Sequence, residues 1–188
     1  GLLYVQSLLA RAPHTRGLVT ATRGNHGQSM ALAAGKAGVP IVIVVPQGNS
    51  AEKNAAMRAL GAELVEHGAD FDQARAEAAR IARERGYESV PPFHPDLIRG
   101  VATYALEFFE AVAGLDTVYV PIGMGSGICG LIRTRDLLGL DTQIVGVVSS
   151  AADAFARSLE AGQIVTTETA DTFADGMACR IPQPEAFE

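Results

Sequence analysis

The run Pro40-Ile41-Val42-Ile43-Val44-Val45-Pro46 constrains the fold more than any other stretch. It is apolar without a break and bounded by prolines. A strand with one wet face would alternate apolar and polar residues, so this one is expected to be covered on both faces, as in a parallel sheet carrying helices on each side. The flanking sequence agrees. A helix is expected from Gly1 to Arg11, with an apolar stripe of Leu2, Leu3, Val5, Leu8 and Leu9, and Pro13 and Gly17 end it. A strand at about Leu18–Ala21 and a helix from about His26 to Gly38 precede the proline-bounded run. After it come a helix capped by Asn49 or Ser50, a strand Ala62–Glu66, a charged helix opened by Asp70 and closed by Gly86, and a short strand Tyr87–Val90. Strand and helix alternate throughout, the pattern of an α/β fold with right-handed crossovers.

Pro91-Pro92-Phe93-His94-Pro95 reads as a junction. Beyond it the pattern restarts: a helix from about Asp96 to Val112, strand Thr117–Ile122, a glycine loop, helix Ile128–Leu138, strand Gln143–Val148 and helix Ala151–Glu160. A further strand is expected at Ile164-Val165-Thr166. The expected architecture is therefore α/β, in two lobes of parallel sheet flanked by helices, residues 1–95 and 96–188.

Composition narrows the classes of function. The chain has 15 basic and 21 acidic residues and a net charge of −6, which disfavours binding to nucleic acid or to an anionic membrane surface. No apolar run has the length of a membrane span. The two cysteines, Cys129 and Cys179, form neither a disulfide framework nor a metal motif. The four histidines, His14, His26, His67 and His94, lack metal-ligand spacing. A cytoplasmic location is the expectation.

Two turns carry the chemistry. The first is Ala21-Thr22-Arg23-Gly24-Asn25-His26-Gly27-Gln28-Ser29, between a strand and a helix of small residues. Its free N–H groups at the positive end of the helix suit a carboxylate or phosphate. Asn25 there is either a helix cap or a ligand-facing amide. The second is Gly123-Met124-Gly125-Ser126-Gly127-Ile128-Cys129-Gly130, again between strand and helix. Consecutive amides in such a loop cradle phosphates. From Gly125 it also matches the dinucleotide fingerprint G-x-G-x-x-G, but the following strand ends Val147-Val148-Ser149-Ser150, without the acidic residue that holds a ribose. A glycine turn that only permits close packing is the remaining reading. Cys129, near a helix start, is either an activated thiolate or a small buried residue.

Together these stretches resemble the fold-type II pyridoxal-phosphate enzymes, of the tryptophan synthase β-like kind, and among them the threonine/serine dehydratases. The residues that carry the resemblance are Thr22-Arg23-Gly24-Asn25-His26-Gly27-Gln28, Val45-Pro46, Asn54 through Glu63, Pro121 through Gly127, and Ala174-Asp175-Gly176. The resemblance implies that pyridoxal phosphate is the cofactor. Asn25 would bond its ring hydroxyl, and the backbone of Gly123, Met124, Gly125, Ser126 and Gly127 would hold its phosphate. Gly176 would lie near the pyridine ring. Thr22, Arg23, Gly24 and His26 would form the pocket for the substrate carboxylate, largely through backbone N–H groups. Met124 and Ser126 replace glycines of the commoner all-glycine loop.

The implied reaction is β-elimination of water from a hydroxy amino acid, giving a 2-oxo acid and ammonia. An amino-acid racemase, or a dehydratase for another β-hydroxy amino acid, are alternatives within the family. A non-catalytic phosphate- and carboxylate-binding module is an alternative of another class. The family's Schiff-base lysine is expected upstream of Gly1, and its contact to the pyridine nitrogen beyond Glu188. The only lysines here, Lys36 and Lys53, fall on helices and read as solvated side chains. The chain alone is accordingly expected to be an inactive fragment, and the intact protein a homo-oligomer. Ser149 and Ser150 stand where some relatives place an acidic cation ligand, so no metal is expected.

Overall fold

The computed structural model describes residues 1–187. The chain divides into two compact units, Gly1–Pro92 and Phe93–Glu188. The first unit contains helix α1 (Leu2–Arg11), strand β1 (Leu18–Ala21), α2 (Asn25–Ala37), β2 (Ile41–Val45), α3 (Ala51–Ala59), β3 (Glu63–Glu66), α4 (Phe71–Arg85) and β4 (Glu88–Ser89). Its four strands form one sheet in the order β3-β2-β1-β4, all pairs parallel.

Every residue of β1 and β2 is buried, as the unbroken apolar run requires. The pleat sends alternate side chains to opposite faces. Val19, Ala21, Val42 and Val44 meet Ala74, Ala78 and Ile81 of α4. Ile43 points the other way, toward Gly27 of α2. Each such aliphatic side chain removed from water contributes roughly 1.5–3 kcal/mol. Local capping sets the helix starts. Ser50 Oγ accepts from the Lys53 N–H at 3.3 Å, and an Asp70 carboxylate oxygen accepts from the Gln73 N–H at 2.9 Å.

The second unit contains α5 (Pro95–Ala111), β5 (Thr117–Pro121), α6 (Ser126–Leu138), β6 (Gln143–Val147) and α7 (Ala154–Ala161), with short 3-10 turns at Asp175–Met177 and Pro184–Ala186. β5 and β6 form a two-stranded parallel ribbon. α5 and α6 pack closely because Gly130 lies against Val101, whose Cγ1 a Cβ at residue 130 would meet at 2.8 Å. Ala105, Phe109, Val120 and Leu131 form the core between these helices and the ribbon.

Three expectations are corrected. Asn25 does not cap α2; it is the first helical residue, and Gly24 occupies the cap position. No strand forms at 164–166. There Val165 donates its N–H to Ser158 Oγ at 2.9 Å, and Thr167 donates to the Arg180 carbonyl at 3.1 Å. The backbone groups a strand would have paired are thus taken by the end of α7 and the tail. α7 begins at Ala154 rather than Ala151, because residues 149–152 close a turn through Ala152 N–H to Ser149 O.

Candidate functional site

In the first unit the functional turn joins β1 to α2. Thr22, not Asn25, does the capping. Its Oγ1 accepts from the Gly24 N–H at 3.0 Å and from the Gly27 N–H at 3.3 Å. The first intrahelical closure is Gln28 N–H to Gly24 O. The amides of Asn25 and His26 therefore lie in the first turn of α2, ahead of any intrahelical acceptor. The Asn25 side chain, relieved of capping, is exposed. Gly27 is held by space: a Cβ there would come within 2.4 Å of Thr22 Cγ2 and 2.5 Å of Met57 Sδ. Beside this turn the Arg23 Nε is buried without a hydrogen-bond partner among the described residues. An orphaned guanidinium donor next to uncommitted helix amides fits an anionic group of a ligand.

Lys53 is not the solvated side chain expected from sequence. It is partly buried, and its Cδ and Nζ stand 3.1 and 3.5 Å from where a Gly24 Cβ would lie. The lysine thus adds positive charge at the head of α2. Lys36 is exposed in the last turn of the same helix. His26 sits in the first turn, with Nε2 3.0 Å from Thr20 Oγ1. Burial lowers its pKa to about 4. The imidazole is neutral at physiological pH.

In the second unit the glycine loop joins β5 to α6. Gly125 precedes α6 with φ +95°, a left-handed conformation that glycine adopts without strain. A Cβ at Gly123 would lie 2.3 Å from the Gly176 carbonyl oxygen, so the 3-10 turn Asp175–Met177 is seated against the loop. At Gly176 a Cβ would meet nothing within 4 Å among the described residues. Met124 is accommodated because its side chain turns into the cluster of Ile122, Phe155 and Cys179, with Cys179 Sγ at 3.8 Å from its Sδ. The Cys129 N–H is bonded to Gly125 O, so the amides of Ser126, Gly127 and Ile128 precede the first closed turn of α6. Gly123 and Gly125, which admit no side chain, three first-turn amides and open space beside Gly176 fit a phosphate attached to a flat ring.

Cys129 is not activated. Burial raises its pKa, and its Sγ lies 3.9 Å from the Ala186 carbonyl oxygen. His94 caps α5, its Nδ1 accepting from the Asp96 N–H at 3.1 Å. Among the described residues no group of three or more His, Cys, Asp or Glu side chains is placed to hold a metal. Sequence reading missed Thr20 and Lys53. The pattern marks Thr20 only as a strand residue, and nothing local announces that Lys53 reaches Gly24.

A parallel α/β fold with uncommitted helix-head amides after one strand and a glycine loop after another suits a ligand that carries anionic groups. The family model described as pyridoxal-phosphate dependent enzyme matches residues 1–188, and the chain belongs to that family. It is 34% identical over 180 residues to the biosynthetic L-threonine dehydratase of Salmonella typhimurium, covering 95% of this chain and 35% of that protein. The structure of the processed form of threonine deaminase isoform 2 from Solanum lycopersicum superposes with a TM-score of 0.86 at 33% identity, covering 97% of this chain and 53% of that one. A pyridoxal 5'-phosphate-dependent aspartate racemase superposes with a TM-score of 0.91 at 26% identity, covering 99% and 57%. The chain thus spans about a third of the length of the curated relatives it matches.

Proposed function

We propose that the protein carrying this chain is a pyridoxal-phosphate-dependent dehydratase that eliminates water from threonine or serine, releasing a 2-oxo acid and ammonia. The observation that carries this reading is the glycine cradle, where Gly123 admits no Cβ and the amides of residues 126–128 stand ahead of the first closed turn of α6. The likeness to threonine dehydratases over 95% of the chain supports the choice of substrate.

Each binding task of that reaction has a residue here. Gly123, Met124, Gly125, Ser126 and Gly127 would hold the phosphate through main-chain N–H groups. Gly176 would leave room for the ring, and the exposed Asn25 amide would bond its hydroxyl. The Asn25 and His26 amides and the Arg23 guanidinium receive the substrate carboxylate, with Thr22 fixing the turn and Gly24 keeping its surface open. The bound cofactor supplies the electron sink that makes loss of the Cα proton feasible. We place the enzyme in cytoplasmic amino-acid metabolism. We also propose self-association of the intact protein.

Incubating the intact protein with pyridoxal phosphate and L-threonine or L-serine, and following 2-oxo acid release, tests the reading. Interconversion of enantiomers without 2-oxo acid would instead favour a racemase, the reading that the likeness to aspartate racemase supports. Ligand binding with neither reaction would leave a non-catalytic module.

A further inference from the structure

Thr20 lies in β1, buried and outside every role assigned above. Its Oγ1 faces two partners: the Val90 carbonyl oxygen at 2.9 Å and His26 Nε2 at 3.0 Å. A hydroxyl has one proton to donate and two lone pairs with which to accept. A carbonyl oxygen only accepts, so two oxygens 2.9 Å apart require the hydroxyl proton between them. The Ala21 carbonyl, at 3.5 Å, is too far to compete for it. With the hydroxyl proton committed to Val90, the contact to His26 holds only if Nε2 carries a hydrogen and donates it to Thr20 Oγ1. In a neutral imidazole the other nitrogen is then bare.

We propose that Thr20 is a positioning residue that locks His26 in its Nε2–H tautomer, leaving Nδ1 as a hydrogen-bond acceptor at the head of α2. No described residue partners Nδ1, and the first turn of α2 is where the ligand is expected. The inference deepens the dehydratase reading and rests on it for its functional meaning. The His26 side chain gives no proton to a substrate carboxylate; main-chain amides and Arg23 do that. Its ring instead receives a hydrogen bond, from an ammonium or hydroxyl group. An amino acid with a donor group on its side chain is accommodated there, whereas a second carboxylate meets a lone pair. The Val90 carbonyl, just past the end of β4, sets the direction of the lock, so β4 reaches the site through Thr20.

The test is long-range proton–nitrogen NMR of histidine-labelled intact protein at neutral pH, without added cofactor or substrate, because this readout does not depend on turnover. The expected spectrum for His26, assigned by comparison with His26→Gln, shows a protonated Nε2 and an unprotonated Nδ1. Thr20→Ser keeps the hydroxyl and should keep that pattern. Thr20→Val removes it and should give a mixed or Nδ1–H pattern in a protein whose circular dichroism is unchanged. A wild-type spectrum with Nδ1 protonated would overturn the proposal, whatever the variants do. So would an unaltered Nε2–H pattern in folded Thr20→Val. Lack of 2-oxo acid formation alongside the expected tautomer would sink the dehydratase reading and leave the lock standing. Turnover with the opposite tautomer would do the reverse. In turnover, Thr20→Val should raise KM for threonine more than it lowers kcat, with rescue by Thr20→Ser.

Discussion

At the scale of single residues, the turn after β1 is organised by Thr22. One hydroxyl oxygen accepts from two amides of the turn, which leaves the Asn25 side chain outside the cap. Thr22→Ala should cost about 0.5–2 kcal/mol, the range for losing a helix cap, and Thr22→Ser should recover most of it; urea denaturation measures both. Gly27→Val should cost more than Thr22→Ala, because its Cβ meets Thr22 Cγ2 and Met57 Sδ inside contact distance. Overpacking of this kind runs to about 1–3 kcal/mol. His26 makes stability depend on pH. Its folded pKa is depressed to about 4 from an ordinary 6.5. Above about pH 6.5 the ring is neutral in both states and contributes no slope. As pH falls below that, the unfolded chain takes up a proton that the folded chain refuses, and stability drops until about pH 4. The loss is at most about 3.5 kcal/mol, since a tenfold difference in proton affinity between the two states corresponds to about 1.4 kcal/mol. Denaturant titrations at pH 7 and pH 5 should show the drop, and His26→Gln should flatten it; equal slopes in the two proteins would remove His26 as its cause.

At the scale of elements, β2 is the strand on which the first unit depends. All five residues are buried, with Val42 and Val44 under α4 and Ile43 toward α2. Ile43→Val should cost about 0.5–1.5 kcal/mol and Ile43→Ala about 2–5 kcal/mol, read from the change in denaturation midpoint. The β5–α6 turn is equally constrained, by packing rather than by an apolar run. Gly123 is pressed on the Gly176 carbonyl oxygen, and a Cβ at Gly125 would meet Ala186 Cβ at 2.6 Å. Gly125 also has φ +95°, so Gly125→Val strains both backbone and packing. In the intact protein that substitution should abolish pyridoxal-phosphate binding in a spectroscopic titration, and unchanged affinity would remove the loop from its phosphate-holding role.

At the scale of the whole molecule, the two units differ in how they shield their strands. β1 and β2 are buried throughout, whereas β6 is partly or fully exposed along its length and β5 buries only Val120. Opening free energies follow buried apolar contact. Hydrogen exchange should therefore protect amides of β1 and β2 more strongly than those of β5 and β6. Comparable protection in both would show that strand exposure within this chain does not set the opening free energy. The family match accounts for the whole chain, yet the chain spans about a third of its curated relatives' length, so activity belongs to experiments on the intact protein.

The sequence by itself determined the α/β class, the order of strands and helices, and the two turns after β1 and β5. These are local properties: an unbroken apolar run, helical spacing, glycines and prolines at fixed offsets act over a few neighbouring residues. The expected parallel pairing followed from the unbroken apolar run and from the alternation of strand and helix, and the chain shows it in both units. Only the tertiary structure decided which hydroxyl caps α2, which side chains meet at its head, and what becomes of the tail. Thr22 outcompetes Asn25 because the curve of the turn brings its oxygen to two amides. Lys53 reaches Gly24 because α3 packs beside α2. Ile164-Val165-Thr166 has strand-like composition, but Ser158 Oγ takes the hydrogen bonds of Val165 and the Arg180 carbonyl takes the N–H of the next residue, Thr167. Thr20 and Val90 are seventy residues apart in sequence and 2.9 Å apart in space. A contact of that kind leaves no trace in local pattern, because it exists only once β1 has paired with β4, and it is that pairing which sets the proton on His26.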